Sequence, residues 1–305
     1  MNELITDIKS LELETLKNLK NSKAANTLRA YKADFKDFSA FCAKNGLNFL
    51  PTEPKILSLY LTHLSANSKF STLKRRIASI SVIHKLKGHY LDTKHPIIME
   101  NLLGIKRIKG SNQKAKKPIL INDLRLIINA IDQTNQIKKR KIRDKAIILI
   151  GFSGGFRRSE LVNLIHDDVE FVNEGVKIFI KRSKTDQSGE GMTKAIPYFD
   201  NQLFCPVVSL KNWMNNSEIK SGKIFDISDK SIALIIKKYA SLSGLDPNKY
   251  SGHSLRSGFA TSTAESGVEE RNIMAMTGHK TSQMVRRYIK EANLFKNNAL
   301  NKIKI

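Results

Sequence analysis

Residues 251–290, SGHSLRSGFATSTAESGVEERNIMAMTGHKTSQMVRRYIK, carry His253, Arg256, His279 and Tyr288. His253 and Arg256 lie three apart, a spacing that stacks them one turn above the other on a single helix face. Ser251 and Gly252 read as the start of that helix. A helix start exposes N–H donors and the positive end of the dipole, so this turn offers a cation, an imidazole and unpaired donors to one anion. Tyr288 follows His279 by nine residues, beyond the break Thr277-Gly278, on a basic helix with Arg286 and Arg287. Taken singly, His253 reads as a helix cap and His279 as a core or surface histidine; together, with an arginine between them, they read as a site. Two histidines without a third Cys, His or Asp at ligand spacing point away from a metal.

Upstream, GFSGGFRRSELVNLI at 151–165 supplies a second arginine. Gly151, Gly154 and Gly155 make a tight loop, Phe156 anchors it, and Ser159-Glu160-Leu161 opens a helix, so Arg157 is held in place. A guanidinium fork matches two phosphate oxygens in a way lysine's point charge does not. Two such forks would neutralise a phosphate and stabilise the extra charge of a pentacoordinate transition state. Tyr288 is then the nucleophile on a phosphodiester gripped by Arg157 and Arg256, and Glu160 an acid that orients Arg157. A phenol loses its proton near pH ~10 unless assisted, and the arginines and His253 supply the field or the base. A strand at 175–182 and a returning strand at 195–198 flank the turn SKTDQSGEGMTK, with Pro197 marking an edge. Lys184 at that turn reads as the general acid for a leaving 5′-oxygen, with Lys177, Lys181 and Lys194 as competitors.

The chain of 305 residues is longer than one core usually holds, which argues for two domains. Lys plus Arg number 52 against 28 Asp plus Glu, a net charge of +24. Such an excess calls for a polyanion, double-stranded DNA first. A compositional bias toward lysine explains Lys over Arg but not the shortage of acids. Cys42 and Cys205 stand far apart among apolar residues and read as reduced core thiols. No apolar run reaches the ~18 residues of a membrane span, and no signal-peptide core is present, so the expected location is the cytoplasm, with the nucleoid.

Helical periodicity then lays out residues 1–110: a leading helix at 4–20, which docks on its own domain or on a neighbouring subunit, and helices at 25–46 (Thr27 as N-cap), from Pro51 and Pro54 onward, at 71–87 and at about 95–104. The helix at 71–87 buries Leu73, Ile77, Ile80, Ile83 and Leu86 and presents Lys74, Arg75, Lys85 and Lys87. Residues 111–117 read as a flexible basic linker whose Lys114, Lys116 and Lys117, with that helix face, form a strap along DNA phosphates. Pro118 opens a second domain, 118–305, with helices to about 132 and at 137–150, 206–215, 229–243, 253–266, 268–276 and 280–293 around the small sheet. The fold class is mainly α with a small β-sheet, α+β.

These residues resemble the tyrosine recombinases, or phage-type integrases. Gly155-Phe156-Arg157-Arg158-Ser159-Glu160-Leu161 is similar to the family's first arginine box, His253-Ser254-Leu255-Arg256 to its HxxR box, Thr277-Gly278-His279 with Tyr288 to its last box, and Lys184 in SKTDQ to its hairpin lysine. The segment Phe204-Cys205-Pro206-Val207 and Trp213 add to the likeness. The resemblance implies a four-helix, SAM-like core-binding domain and a catalytic domain that together close as a C-shaped clamp on DNA. It implies cleavage of one strand at a time, a 3′-phosphotyrosine at Tyr288, a Holliday junction, and no metal or nucleotide cofactor. It also implies a homo-tetramer on two sites, with accessory DNA-bending or directionality proteins, for integration, excision or dimer resolution. The tail Asn293–Ile305, with Leu294, Phe295, Leu300 and Ile303, either docks on a neighbouring subunit or folds back. Two other readings remain: a type IB topoisomerase, and a non-catalytic sequence-specific DNA-binding protein.

Overall fold

Among the residues that the computed structural model describes (8–110, 115–181, 186, 190–292, 301 and 303), helices dominate and one short sheet interrupts them. The chain divides into two compact units, Met1–Lys114 and Ala115–Ile305.

The first unit contains α1 (Ile8–Asn21), α2 (Ala25–Lys44), α3 (Pro54–Ser65), α4 (Phe70–Leu86) and α5 (Pro96–Lys109). Pro54 and Pro96 open their helices, where the missing N–H is no loss. Residues at helical spacing on α2–α5, among them Phe38, Cys42, Leu57, Leu61, Leu73, Ile80, Ile98 and Leu102, form one apolar core. A polar clasp joins α2 to α4. Asp34 is 2% exposed and accepts from Arg75 at 2.5 Å and from the Ser79 hydroxyl at 2.7 Å, with Arg76 at 3.2 Å. Asp37 accepts from Tyr60 at 2.6 Å and pairs with Arg76 at 3.0 Å. A buried carboxylate is tolerated only with such partners, so Arg75 serves the fold and not only the basic face to which its helical position assigned it. Two local expectations fail. Leu86 is 65% exposed, because it is the last residue of α4 and runs past the core. Thr27 lies inside α2, and Ala24 precedes the helix without a side-chain cap.

The second unit begins on its own surface. Lys117 N–H donates to the Lys249 carbonyl at 2.7 Å and Ile119 N–H to that of Ser254 at 2.9 Å. Its helices are α6 (Ile121–Gln133), α7 (Lys138–Ser153), α8 (Arg158–Val162), α9 (Pro206–Asn216), α10 (Asp229–Leu242), α11 (His253–Glu265), α12 (Glu270–Thr277) and α13 (Ser282–Ala292). The apolar run at the end of α7, Ala146 to Ile150, is buried all round, and α6, α9, α10 and α11 pack about it. An antiparallel sheet in the order β1-β2-β3 covers this core: β1 (Val169–Val172), β2 (Gly175–Ile180) and β3 (Met192–Pro197). Strand β1 was not expected from the sequence. The proline-bearing strand β3 is an edge, as its proline predicts. Register pairs Val176 with Ile196 and Ile178 with Lys194. A smaller cluster, Ala260, Ala264, Ile273 and Val285, joins α11, α12 and α13, with Met274, Tyr288 and Ile289 against it. Among the described residues no helix is long and apolar enough to cross a membrane.

Candidate active site

The turn between α7 and α8 sets the first arginine. Gly155 sits at φ +55°, where a side chain would strain the backbone and meet Phe259 and Thr277 at 3.0 and 3.1 Å. Phe156, fully buried, pins the turn into the core. Arg157 then caps α8: its backbone N–H donates to Glu160 Oε2 at 2.9 Å, and its Nη1 donates to Glu160 Oε1 at 2.6 Å. Glu160 is itself buried, so the fork of Arg157 is held rather than mobile.

Arg256, on the first turn of α11, is 0% exposed. Its Nη1 donates to the Gly155 carbonyl at 2.9 Å, which ties α11 to the arginine turn. Its Nε and Nη2 are buried and have no hydrogen-bond partner among the described residues. Burial, with Arg157 adding to it and Glu160 opposing, pulls the guanidinium down to about 10. Arg157, Glu160 and Tyr288 are thus its electrostatic neighbours. Buried charged donors without acceptors cost roughly 1–3 kcal/mol each or more, and an anion reaching them would relieve that cost.

The phenol lies near two imidazoles. His253, the first residue of α11, has Nε2 3.2 Å from the Tyr288 hydroxyl. The His279 ring centroid is 6.1 Å from that of Tyr288. Gly278 ends α12 in the left-handed region at φ +63°, which turns the chain so that His279 precedes α13. The Thr277 hydroxyl donates to the Ile273 carbonyl at 2.6 Å and lies 2.7 Å from His279 Nδ1, so one edge of the ring is fixed. Burial pushes His279 down to about 3, with Arg256, Arg157, His253 and Lys194 adding to it. The ring is neutral at ordinary pH.

Among the lysines, Lys184 lies outside the described residues. Lys177 is exposed and pairs with Glu170 at 3.7 Å, and Lys181 pairs with Asp168 at 2.9 Å. Lys194 is wholly buried at the base of the site: Nζ donates to the carbonyls of Gly154 at 2.6 Å and Met276 at 2.5 Å, and lies 4.5 Å from the Phe156 ring centroid. In the sequence it is one competitor among several, because the strand pattern is evident only from Ala195 and gives residue 194 no inward or outward side. Tyr250, two residues before Gly252, is 1% exposed and donates to Asp123 at 3.0 Å, so its phenol is not available as a nucleophile. Of the expected DNA-contacting residues, Lys74, Lys85 and Lys87 are exposed on or just after α4, with Lys74 also over the Phe70 ring. Arg75 is bound to Asp34, and Lys114 lies outside the described residues. Lys116 donates to the Asn248 carbonyl at 2.5 Å and Lys117 pairs with Asp123 at 3.0 Å, so both are tied to the second unit rather than to a loose strap.

Residues 119–294 match the phage integrase family, and residues 13–87 match the N-terminal SAM-like domain of phage integrases. The chain belongs to the phage integrase family. A relative, an integrase/recombinase xerD homolog of Selenomonas ruminantium, is 40% identical over 278 residues, 86% of this chain and 81% of that one. A tyrosine recombinase of Agathobacter rectalis is 29% identical over 241 residues, 76% of each chain. The same fold is seen in the Tn1549 transposon integrase in complex with transposon right end DNA, with a TM-score of 0.63, 15% identity, and coverage of 93% of this chain and 97% of that one. It is seen again in the XerH site-specific recombinase bound to palindromic difH substrate, with a TM-score of 0.61, 18% identity, and coverage of 81% and 73%. This phage integrase family member is a tyrosine recombinase, an enzyme of site-specific DNA strand transfer.

Proposed function

We propose that Tyr288 attacks a DNA phosphodiester held between Arg157 and Arg256, forming a 3′-phosphotyrosine and releasing a 5′-hydroxyl. The observation that carries this reading is the buried guanidinium of Arg256, two of whose donors lack a partner among the described residues, beside the second arginine and the phenol. Those N–H groups donate to the non-bridging oxygens, and they count most when the phosphorus becomes pentacoordinate. His253, in hydrogen-bond reach of the phenol, receives its proton. Neutral His279, with Nδ1 at the Thr277 hydroxyl, offers Nε2 to the site without adding charge. Glu160 fixes the fork of Arg157. Lys184 protonates the leaving 5′-oxygen. The 5′-hydroxyl of a partner strand then attacks the phosphotyrosine, which builds and resolves a Holliday junction. The phosphotyrosine conserves the energy of the broken bond, so no nucleotide or metal cofactor enters.

The partner is double-stranded DNA, contacted by Lys74, Lys85 and Lys87 of the first unit among others, and the working form is a homo-tetramer on two sites. An apolar groove of about 450 Å³, lined by Phe152, Ile196, Phe199, Phe259, Val268 and Met276, supports that assembly as a seat for the C-terminal segment Asn293–Ile305 of a neighbouring subunit. The setting is the cytoplasm, on the DNA of a mobile element or of its host, with accessory proteins setting direction.

The test begins by mapping covalent protein–DNA adducts on host DNA to find the site, then building a nicked duplex that traps the cleaved state. Wild-type protein accumulates the adduct, and Tyr288→Phe binds the duplex equally and forms none. An adduct with Tyr288→Phe places the nucleophile elsewhere. Relaxation of a plasmid lacking the site, without exchange between two sites, would make the protein a topoisomerase. Binding without any adduct would make it a DNA-binding protein only.

A further inference from the structure

The inward face of β3 holds a residue that packing does not explain. Strand alternation and register place Lys194 opposite Ile178 and two residues before Ile196, on the side where Val176, Ile178 and Ile196 are all buried. An isoleucine or methionine would fill that position. Lysine is almost never fully buried unless its charge is met. Here no carboxylate hydrogen-bonds the ammonium among the described residues; its partners are two main-chain carbonyls and the face of Phe156.

The identity of those carbonyls is informative. Gly154 lies three residues before Arg157, and Met276 lies three residues before His279. The next carbonyl in the turn, Gly155, is taken by Arg256. Two cations therefore hold consecutive carbonyls of the arginine turn, and one of them also reaches the end of the helix that delivers His279. A wholly buried ammonium engaged in this way does not touch a DNA oxygen, so it is not the general acid.

We propose that Lys194 is a positioning residue for strand cleavage, tying the Gly154 carbonyl to the Met276 carbonyl so that Arg157 and His279 stay in register beneath the phosphate. The role rests on the reading of Tyr288, Arg157 and Arg256 given above. The charged and titratable groups around the ammonium are Glu160 of α8, Arg157 before it, Arg256 of α11 and His279 after α12. Burial pulls Lys194 down to about 7, Glu160 opposes, and Arg256 and Arg157 add to the fall. Its charge-assisted bonds are therefore complete below about 7 and weaken above it.

The experiment is single-turnover cleavage of the nicked duplex by wild type and Lys194→Met, with duplex affinity measured alongside. If the wild type forms no adduct, the reading of the site fails whatever Lys194 does. If it does, Lys194→Met should cleave roughly 10²-fold more slowly near pH 6, as misplacement of catalytic groups by about 1 Å does, with duplex affinity unchanged. The ratio of wild-type to variant rates should shrink as pH rises toward about 9, as the amine loses its charge. A purely structural lysine would change the melting temperature and the active fraction but give a flat ratio. Equal rates, a flat ratio, or a loss of binding that matches the loss of rate overturns the proposal. If Lys194→Met does not fold, the wild type decides. In an NMR titration the Gly155 and Thr277 amides should shift together with the midpoint of Lys194 Nζ, and amides that stay still through that midpoint overturn it.

Discussion

The two sides of the candidate site are built on very different foundations. The arginines stand on the main core: Phe156 and Leu255, which immediately precede them, and Leu161 of α8 all belong to the large cluster around α7. The tyrosine stands on a layer of three helices whose own core consists of Ala260, Ala264, Ile273 and Val285. The proposed grip on phosphate thus stands on the most buried part of the second unit, while the proposed nucleophile is carried by an element with a small apolar core and an Arg286–Glu270 pair at 3.2 Å. Local opening follows local burial, so α13 is expected to open more readily than the arginine turn. Cleavage of one strand at a time, which the resemblance implies, would need the nucleophile presented or withheld without dismantling the phosphate site, and this division permits it.

Substitutions on the two sides should therefore separate. The largest effect is expected at Phe156→Ala, which removes the anchor of the arginine turn: a loss of about 3–5 kcal/mol in denaturant melts, with unfolding still cooperative. A loss under about 1 kcal/mol would show that the turn does not depend on the core. Val285→Ala removes the one fully buried side chain among the described residues of α13. It should cost about 1–2 kcal/mol, read as faster amide exchange confined to α12 and α13, with a drop in cleavage and no change in α7. Exchange that speeds up in α7 as well would merge the two sides into one cooperative unit. The smallest effect lies at their seam. His279 takes a proton at its ordinary 6.5 when unfolded but only near about 3 when folded. The unfolded state therefore binds more protons across that window, and stability falls as pH drops through it. His279→Gln should flatten that acid slope in thermal melts; an unchanged slope would place the ring in a less buried setting.

Much of this arrangement was legible in the sequence because it rests on local rules. The spacing of His253 to Arg256, the glycine at 278 and the anchor Phe156 each specify a backbone state or a helix face, and the helices of the second unit follow their apolar periods closely. What escaped reading depended on partners distant in the chain. Asp34 looks like a solvent-facing acid on α2, and only α4, with Arg75, Arg76 and Ser79, makes it a buried hub. Strand β1 spans four residues, Val169–Val172, too few for alternation to stand out after Asp167 and Asp168. Lys194 looks like one basic residue among many until the register of β3 turns it inward.

The central claim is that Arg157 and Arg256 act on one phosphate. It is tested most directly by a double-mutant cycle, with Arg157→Lys and Arg256→Lys alone and combined, each retaining charge but losing the fork, read as single-turnover cleavage of the trapped-site duplex. Groups that act as a unit are strongly non-additive, so the double variant should be slower than the worse single one by no more than about tenfold. Losses that multiply in full would mean that the two guanidiniums work on separate parts of the DNA, and the account of the site would not stand.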